Sequence, residues 1–256
     1  MIVYRLGDVF VGKIVKRPSK NIKSPYVADV NIDGEEHLAH TPSLGCSGLC
    51  ECPNKVVMIE TPGNKCGYRI QLAKEKKVYV GVNPKISENI VINLLRKNKF
   101  PNLDVSTYQR EVSISNSRFD FAGKTKDCEF IIEVKSVPLK FDDKTAYFPE
   151  GYRKKKSDPI SPRALKHIQE LTQIKKDDVS KRCILCFVVS RHDVEEFKVN
   201  ENDPIYQKAV QDGWMSGVEI VVLCIKWSKS KGRLLDKSIP INLYSEYGPQ
   251  NKIDNL

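Results

Sequence analysis

No stretch of this 256-residue chain approaches the roughly 18 consecutive apolar residues that a membrane-spanning helix requires, which excludes a helical membrane protein. The N-terminal MIVYRLGDVFVGKIVKR lacks a basic start followed by a long apolar run, so a secretory leader is not expected. The chain is therefore read as intracellular, cytoplasmic or associated with the nucleoid or nucleus. It has no internal repeat and no low-complexity tract. Acidic residues are in deficit. The 32 Asp and Glu against 42 Lys and Arg leave a formal charge of +10 and a pI near 9.1. That balance suits a polyanion, because neutralising phosphates releases counterions. Nucleic acid is the expected partner and a membrane is not; the oligomeric state, a homodimer included, is left open.

A chain this long buries enough core to fold without disulfides. Its eight cysteines are accordingly read as reduced thiols. Cys128, Cys183, Cys186 and Cys224 stand in apolar runs and belong to the core; Cys183 and Cys186 point to opposite faces of one strand and cannot chelate together. Cys46, Cys50, Cys52 and Cys66 fall in a Gly- and Pro-bearing loop region, where four thiolates can hold Zn²⁺ tetrahedrally. Their spacing is not a standard zinc spacing, and unlinked loop thiols are the plainer reading.

The first eighty or so residues alternate short β-like runs (VFVGKIVKR, YVADVNID, KVVMIE, YRIQLA, KVYVGV) with turn signals, and nothing helical intervenes. This predicts a small barrel over residues 1–82, of oligonucleotide-binding (OB) form. Tyr4, Tyr26, Tyr68 and Tyr79 among lysines either offer stacking surfaces for bases or simply pack the barrel. From residue 83 the pattern changes. ISENIVINLLRKN reads as a helix capped by Ser87, EVSISNSRFDFAG and CEFIIEVKSV as strands, and SPRALKHIQELTQIKK as a helix capped by Ser161 with Pro162 in its first turn. CILCFVVSR and VEIVVLCIKW are buried strands flanking a helix at DPIYQKAVQDGW. This order predicts a restriction-endonuclease-like α/β domain over 83–243, followed by a polar tail, 244–256.

Four places carry an acid two residues before a lysine. Glu75, Asp142 and Glu196 stand in polar surroundings and read as solvated surface. Glu133 lies in FIIEVKSV, where alternation puts Phe130, Ile132 and Val134 on one face and Ile131, Glu133 and Lys135 on the other. Burying a charge costs several kcal/mol unless it is paired or binds a metal, so a salt bridge and an active site both account for it. The preceding strand adds Asp120, and a hairpin turn within AGKTKD (122–127) brings Asp120 beside Glu133. Two carboxylates holding Mg²⁺ or Mn²⁺, with the carbonyl of Val134 as a further ligand and Lys135 steering water, make a site for metal-assisted phosphodiester hydrolysis.

On the helix from Ser161, Ala164, Leu165, Ile168 and Thr172 form the core stripe at 100° per residue. Arg163, His167 and Glu170 fall opposite it, facing either substrate or solvent. Glu111 is a further candidate acid and Arg118 a candidate phosphate contact. Arg153, Lys154, Lys155 and Lys156 make a basic run suited to tracking phosphates.

These residues resemble the sugar fermentation stimulation protein (SfsA) family over most of the chain. AHTPSLGCSGL is similar to its H-C-P-N-T-G-x-M-x-G-L segment, VGVNP to its V-G-V-N-T, and REVSISNSRFDF to its R-E-V-x-x-x-x-S-R-x-D-F. FIIEVKSV, FPE, RALKHIQEL, DPIY and GVEIVVL follow in family order. The resemblance implies an OB-like barrel joined to a PD-(D/E)xK nuclease-like domain, with nucleic acid as the ligand. It implies Asp120, Glu133 and Lys135 as the catalytic set, with His167 and Glu170 matching its K-H-x-x-E. Thr41, Ser43, Leu44 and Cys46 depart from the first motif, and YRKKKSDPIS is longer than the compact pattern. Three functions stand: a metal-dependent nuclease, a DNA-binding regulator on a nuclease-like scaffold, and an adaptor stabilised by zinc.

Overall fold

A computed structural model describes residues 1–44, 46, 48–151, 153, 155, 157–235 and 241–242. After a first strand, β1 (Ile2–Arg5), come β2 (Phe10–Lys16), β3 (Val27–Ile32), β4 (Glu35–His40), β5 (Lys55–Glu60) and β6 (Tyr68–Glu75). β2 to β6 close on themselves in the order β2-β3-β4-β6-β5-β2, antiparallel throughout except for β4 and β6, which run parallel. This is the OB-like five-stranded barrel expected at the N-terminus. Ile14, Ala28, Val30, Ala39, Val56, Met58 and Ile70 fill it. Gly12 lets β2 approach so closely that a Cβ there would stand 2.7 Å from Met58 Cε and 2.9 Å from the Asn31 carbonyl.

β7 (Val78–Gly81) leads to α1 (Pro84–Arg96). Its N-cap is Asn83, whose side chain accepts from the Lys85 N–H, with Pro84 next. Ser87, expected as the cap, is instead buried inside the helix and hydrogen bonds Ser136 Oγ at 3.0 Å. The segment read as one strand at 111–123 is a hairpin of β8 (Thr107–Ile114) and β9 (Ser117–Lys124), turning where Ser115 takes a positive φ of 52°. The next turn lies at Thr125–Cys128, a little beyond the position expected, because Thr125 N–H reaches the Cys128 carbonyl. There follow β10 (Glu129–Val137), β11 (Thr145–Phe148), α2 (Pro162–Asp177), β12 (Arg182–Val189), β13 (Glu196–Val199), α3 (Pro204–Met215), β14 (Glu219–Trp227), β15 (Lys231–Leu234) and β16 (Ile241–Asn242). No helix among the described residues is long and apolar enough to cross a membrane.

The α/β part is a sheet ordered β8-β9-β10-β12-β14, with β10, β12 and β14 parallel. α1 covers one face through Ile86, Ile90, Leu94 and Leu95, while α2 and α3 cover the other through Ala164, Ile168, Leu171, Tyr206 and Val210. Sheets buried on both faces need near-continuous apolar strands, which RCILCFVV supplies. The division expected at residue 82 is crossed by β1. This strand pairs with β15 and puts Val3 into the core under α1, so the first residues belong with the α/β sheet rather than the barrel.

Barrel and sheet are also joined through a fully buried arginine. Arg191, 1% exposed, donates to both carboxylate oxygens of Asp193 at 2.8 Å, to the Pro138 carbonyl at 3.1 Å and to Glu75 at the end of β6. Glu75, read from sequence as solvated, is therefore an anchor. Nearby, Gly81 N–H reaches the Ser190 carbonyl at 2.9 Å. Removing one partner of such a network strands the others in low dielectric. Arg191→Met should lower the unfolding free energy by about 3 kcal/mol in urea titration, whereas Lys208→Ala, which breaks an exposed helix pair, should change it by less than about 0.5 kcal/mol. Equal effects would show that Arg191 carries no such load.

Candidate functional site

On β10, Phe130, Ile132 and Val134 enter the core under α1, whereas Ile131 and Val137 enter the core under α2 and α3. Strand alternation therefore sends Glu133 and Lys135 toward α2, and they are only 3% and 9% exposed. Lys135 Nζ donates to Glu133 Oε1 at 2.5 Å. His167 Nδ1 bonds the same oxygen, lies 3.4 Å from Lys135 Nζ, and its ring rests 5.8 Å from that of Phe119. The second oxygen, Glu133 Oε2, is buried without a hydrogen-bond partner. The salt bridge weighed from sequence exists, but it answers only half of this carboxylate.

Asp120 is brought in by a break in the sheet. The β9–β10 ladder runs from Glu129↔Lys124 to Ile132↔Phe121 and stops, and the β8–β9 ladder steps over Glu111, whose φ is +54°. Phe119 and Phe121, two residues apart, enter opposite cores, so β9 rolls over at Asp120. The parting strands free the Val134 N–H, and Asp120 Oδ2 accepts it at 2.8 Å. Burial first, then the Glu133 charge, push the Asp120 carboxyl up to about 7 against that hydrogen bond. Burial also raises Glu133, but the His167 hydrogen bond and the Lys135 charge outweigh it and hold this carboxyl below its usual range.

Two adjoining carboxyls, one with an open oxygen and one destabilised as an anion by the other, form a donor set for a hard divalent cation. Among the described residues no three His, Cys, Asp or Glu side chains stand in ligating geometry. In place are two carboxylates, with backbone and water left to complete the sphere, which suits Mg²⁺ or Mn²⁺.

The other expected residues divide. His167 does not lie on a polar face: α2 packs through Ala164, His167, Ile168, Leu171 and Thr172, and His167 is buried behind Glu133 while Leu165 is only half-buried. A histidine within helical spacing of the apolar stripe is core when a buried acid receives it. Glu170 is largely covered and meets Lys166 at 3.8 Å, with its Oε2 unpartnered. Arg163 is exposed on the first turn of α2. Arg118 meets Glu111 at 3.6 Å on the rim. Arg153 and Lys155 lie in the loop before α2; Lys154 and Lys156 fall outside the described residues.

The four loop cysteines do not gather: Cys46 and Cys50 are buried with their thiols hydrogen bonded, Cys66 is buried and Cys52 exposed. Of the tyrosines, Tyr4 packs on Trp227, Tyr68 on Phe10 and His37, and Tyr79 lies beneath Lys74; Tyr26 is 41% exposed and stacks on His40.

Glu88 was not found from sequence. It lies just past the first turn of α1, its side chain 22% exposed, and its charge contributes to the rise at Asp120. In ISEN it reads as an ordinary helix-surface acid, and only the packing of α1 on β10 reveals its neighbour.

The raised Asp120 carboxyl has a consequence for stability. Between about pH 4 and 7 the folded protein keeps a proton that the unfolded chain releases, so this group's contribution is present at low pH and lost as pH rises. Without metal, Asp120→Asn should be the more stable protein at pH 8 by about 4 kcal/mol, with the difference closing near pH 4. Urea unfolding in chelator across this range measures it, and parallel curves would contradict the assignment.

Comparison with known proteins follows the same lines. The family described as "Sugar fermentation stimulation protein RE domain" matches residues 85–231. A sugar fermentation stimulation protein homolog of Acetivibrio thermocellus is 27% identical over 242 residues, 92% of this chain and 97% of that one. Its counterpart in Methanobrevibacter smithii is 29% identical over 244 residues, 90% and 98%. The solved structure of Pyrococcus furiosus SfsA in complex with Ca²⁺ superposes with a TM-score of 0.80 at 19% identity, covering 94% of this chain and 99% of that one.

Proposed function

We propose, for a chain that belongs to the sugar fermentation stimulation protein family, that Asp120, Glu133 and Lys135 form a metal-dependent site hydrolysing phosphodiester bonds of nucleic acid, DNA in the first instance. The observation that carries this reading is the buried, unanswered Oε2 of Glu133 beside an Asp120 whose carboxyl is pushed up to about 7. Mg²⁺ or Mn²⁺ bound there supplies a polarised phosphate oxygen and a bound water of lowered pKa.

The chain's own residues do the rest. Asp120 and Glu133 present the oxygens, and the Val134 N–H fixes the direction of the Asp120 carboxylate. His167 holds Glu133 from behind, which marks it as a positioning residue. Lys135, one pleat from Glu133, places an ammonium where charge builds on the phosphate and beside the attacking water. Exposed Arg118 and Arg163, with Arg153 and Lys155 of the loop before α2, are the side chains that would contact flanking phosphates. The calcium of the Pyrococcus furiosus structure supports an oxygen-seeking cation in this fold.

A second reading is a DNA-binding regulator that uses the scaffold without cutting, and the five-stranded barrel with the +10 charge favours it. The two separate in one experiment. Plasmid, single-stranded DNA and RNA are incubated with the protein and Mn²⁺; cleavage is expected, and Asp120→Ala or Lys135→Met should slow it by about 100-fold or more. No cleavage of any substrate, together with salt-sensitive duplex binding indifferent to Glu133→Gln, would leave only the regulator.

A further inference from the structure

The outer wall of the barrel carries a row of like charges that the fold leaves unanswered. Lys13 of β2 stands directly opposite Lys55 of β5, and Lys55 directly opposite Lys74 of β6. Beyond Lys74 the same register leads to Tyr79 of β7, whose ring centre lies 5.9 Å from Lys74 Nζ; beyond Lys13 it leads to Asn31 of β3. Ile14, Val56 and Ala73, each next to one of these lysines along its strand, fill the barrel, so the lysines point outward. Lys13 and Lys55 are exposed and Lys74 is half-buried. Among the described residues none of the three meets an acid, and the acids nearest Lys55 and Lys74 in the sequence, Glu51 and Glu75, are engaged by Arg17 and Arg191.

Like charges directly opposite one another across a strand pair destabilise it. Three of them on adjacent strands, about 4.8 Å apart from strand to strand, burden the barrel unless an anion lies across them. The charge is a line rather than a field: two residues along the same strands, Val11, Val57 and Leu72 stand opposite one another and are apolar. A line fits an extended polyanion better than the plane of a membrane. Barrels of this form usually hold oligonucleotides on their second and third strands, here β3 and β4. Residues 27–40 of this chain bear Asp29, Asp33, Glu35 and Glu36 and no Lys or Arg, so that face repels phosphate. We propose that Lys13, Lys55 and Lys74 form a phosphate-tracking row, which seats one strand of a nucleic-acid backbone across β2, β5 and β6 instead of on β3 and β4. This rests on reading nucleic acid as the ligand of the protein.

The test is fluorescence anisotropy of labelled single-stranded and duplex oligonucleotides, DNA and RNA, titrated with the full chain in chelator over a range of salt. Wild type should bind at least one of them. The triple variant Lys13→Gln, Lys55→Gln, Lys74→Gln should bind it about 10-fold or more weakly, and the slope of log Kd against log salt should fall by about 2 to 3, close to one phosphate per lysine. The control removes three charges elsewhere: Lys23→Gln and Lys65→Gln, exposed in the loops β2–β3 and β5–β6, with Lys99→Gln after α1. It should weaken binding by less than about 3-fold, with a slope changed by less than about 1. Without ligand, Lys55→Gln alone should melt above wild type at low salt and lose that gain at high salt, as relief of screened repulsion requires. If the row variant binds no more weakly than the control, or if Lys55→Gln melts below wild type at low salt, the row is overturned while nucleic acid stands as the ligand. If wild type binds none of the oligonucleotides, or binds only vesicles containing phosphatidylserine, both readings fall.

Discussion

A carboxylate closed off from water must have its charge answered, and Glu133 is the one around which this molecule is arranged. Its Oε1 is met twice, by Lys135 on its own strand and by His167 from α2. That fixes the rotation of α2 about its axis, because His167 must face the sheet for the bond to form. The helix start is set to match: the Ser161 hydroxyl accepts from the Ala164 N–H, and Pro162 holds the first turn. α3 then closes on α2 where Gly213 allows contact that a Cβ, 2.9 Å from Ile168 Cδ1, would forbid. On the other side β9 peels away and rolls, so that Asp120 caps an otherwise abandoned N–H of β10. A continuous ladder would have used the main-chain N–H and left Asp120 without that anchor.

The sheet that builds this site is continuous with the barrel. β7 meets β14 at Tyr79 and Trp227, β1 returns to pair with β15, and Arg191 ties β6 to the ends of β10 and β12. The ends of the parallel strands thus serve two purposes. They carry the loops that receive the barrel, and they bring the C-terminal end of β10, with Ser136, against the first turn of α1. Barrel and α/β domain are thereby held in a defined orientation to each other.

Much of this was legible in particular residues. Strand alternation in FIIEVKSV placed Glu133 and Lys135 on the α2 side of β10, and the Ser161-Pro162 pair marked the start of α2. Asn83-Pro84 carried the same signal for α1, but Ser87 drew the cap inward, since a buried serine bonded to another strand has no local signature. The hairpin of β8 and β9 reads as one strand in the sequence because its turn, Ser115-Asn116, has neither Gly nor Pro. Glu75 reads as a surface acid because its partner, Arg191, lies 116 positions along the chain.

Local rules act over a few residues, and the sequence by itself determined whatever depends on them: which segments become strands or helices, which side of β10 bears its charges, and that a barrel precedes an α/β domain. Tertiary structure alone decided how the charges are shared. His167 on Glu133 and Asp120 on the Val134 N–H each join groups from different elements. Their energies come from burial and from the charge of a neighbour, quantities with no value until the chain has closed around them.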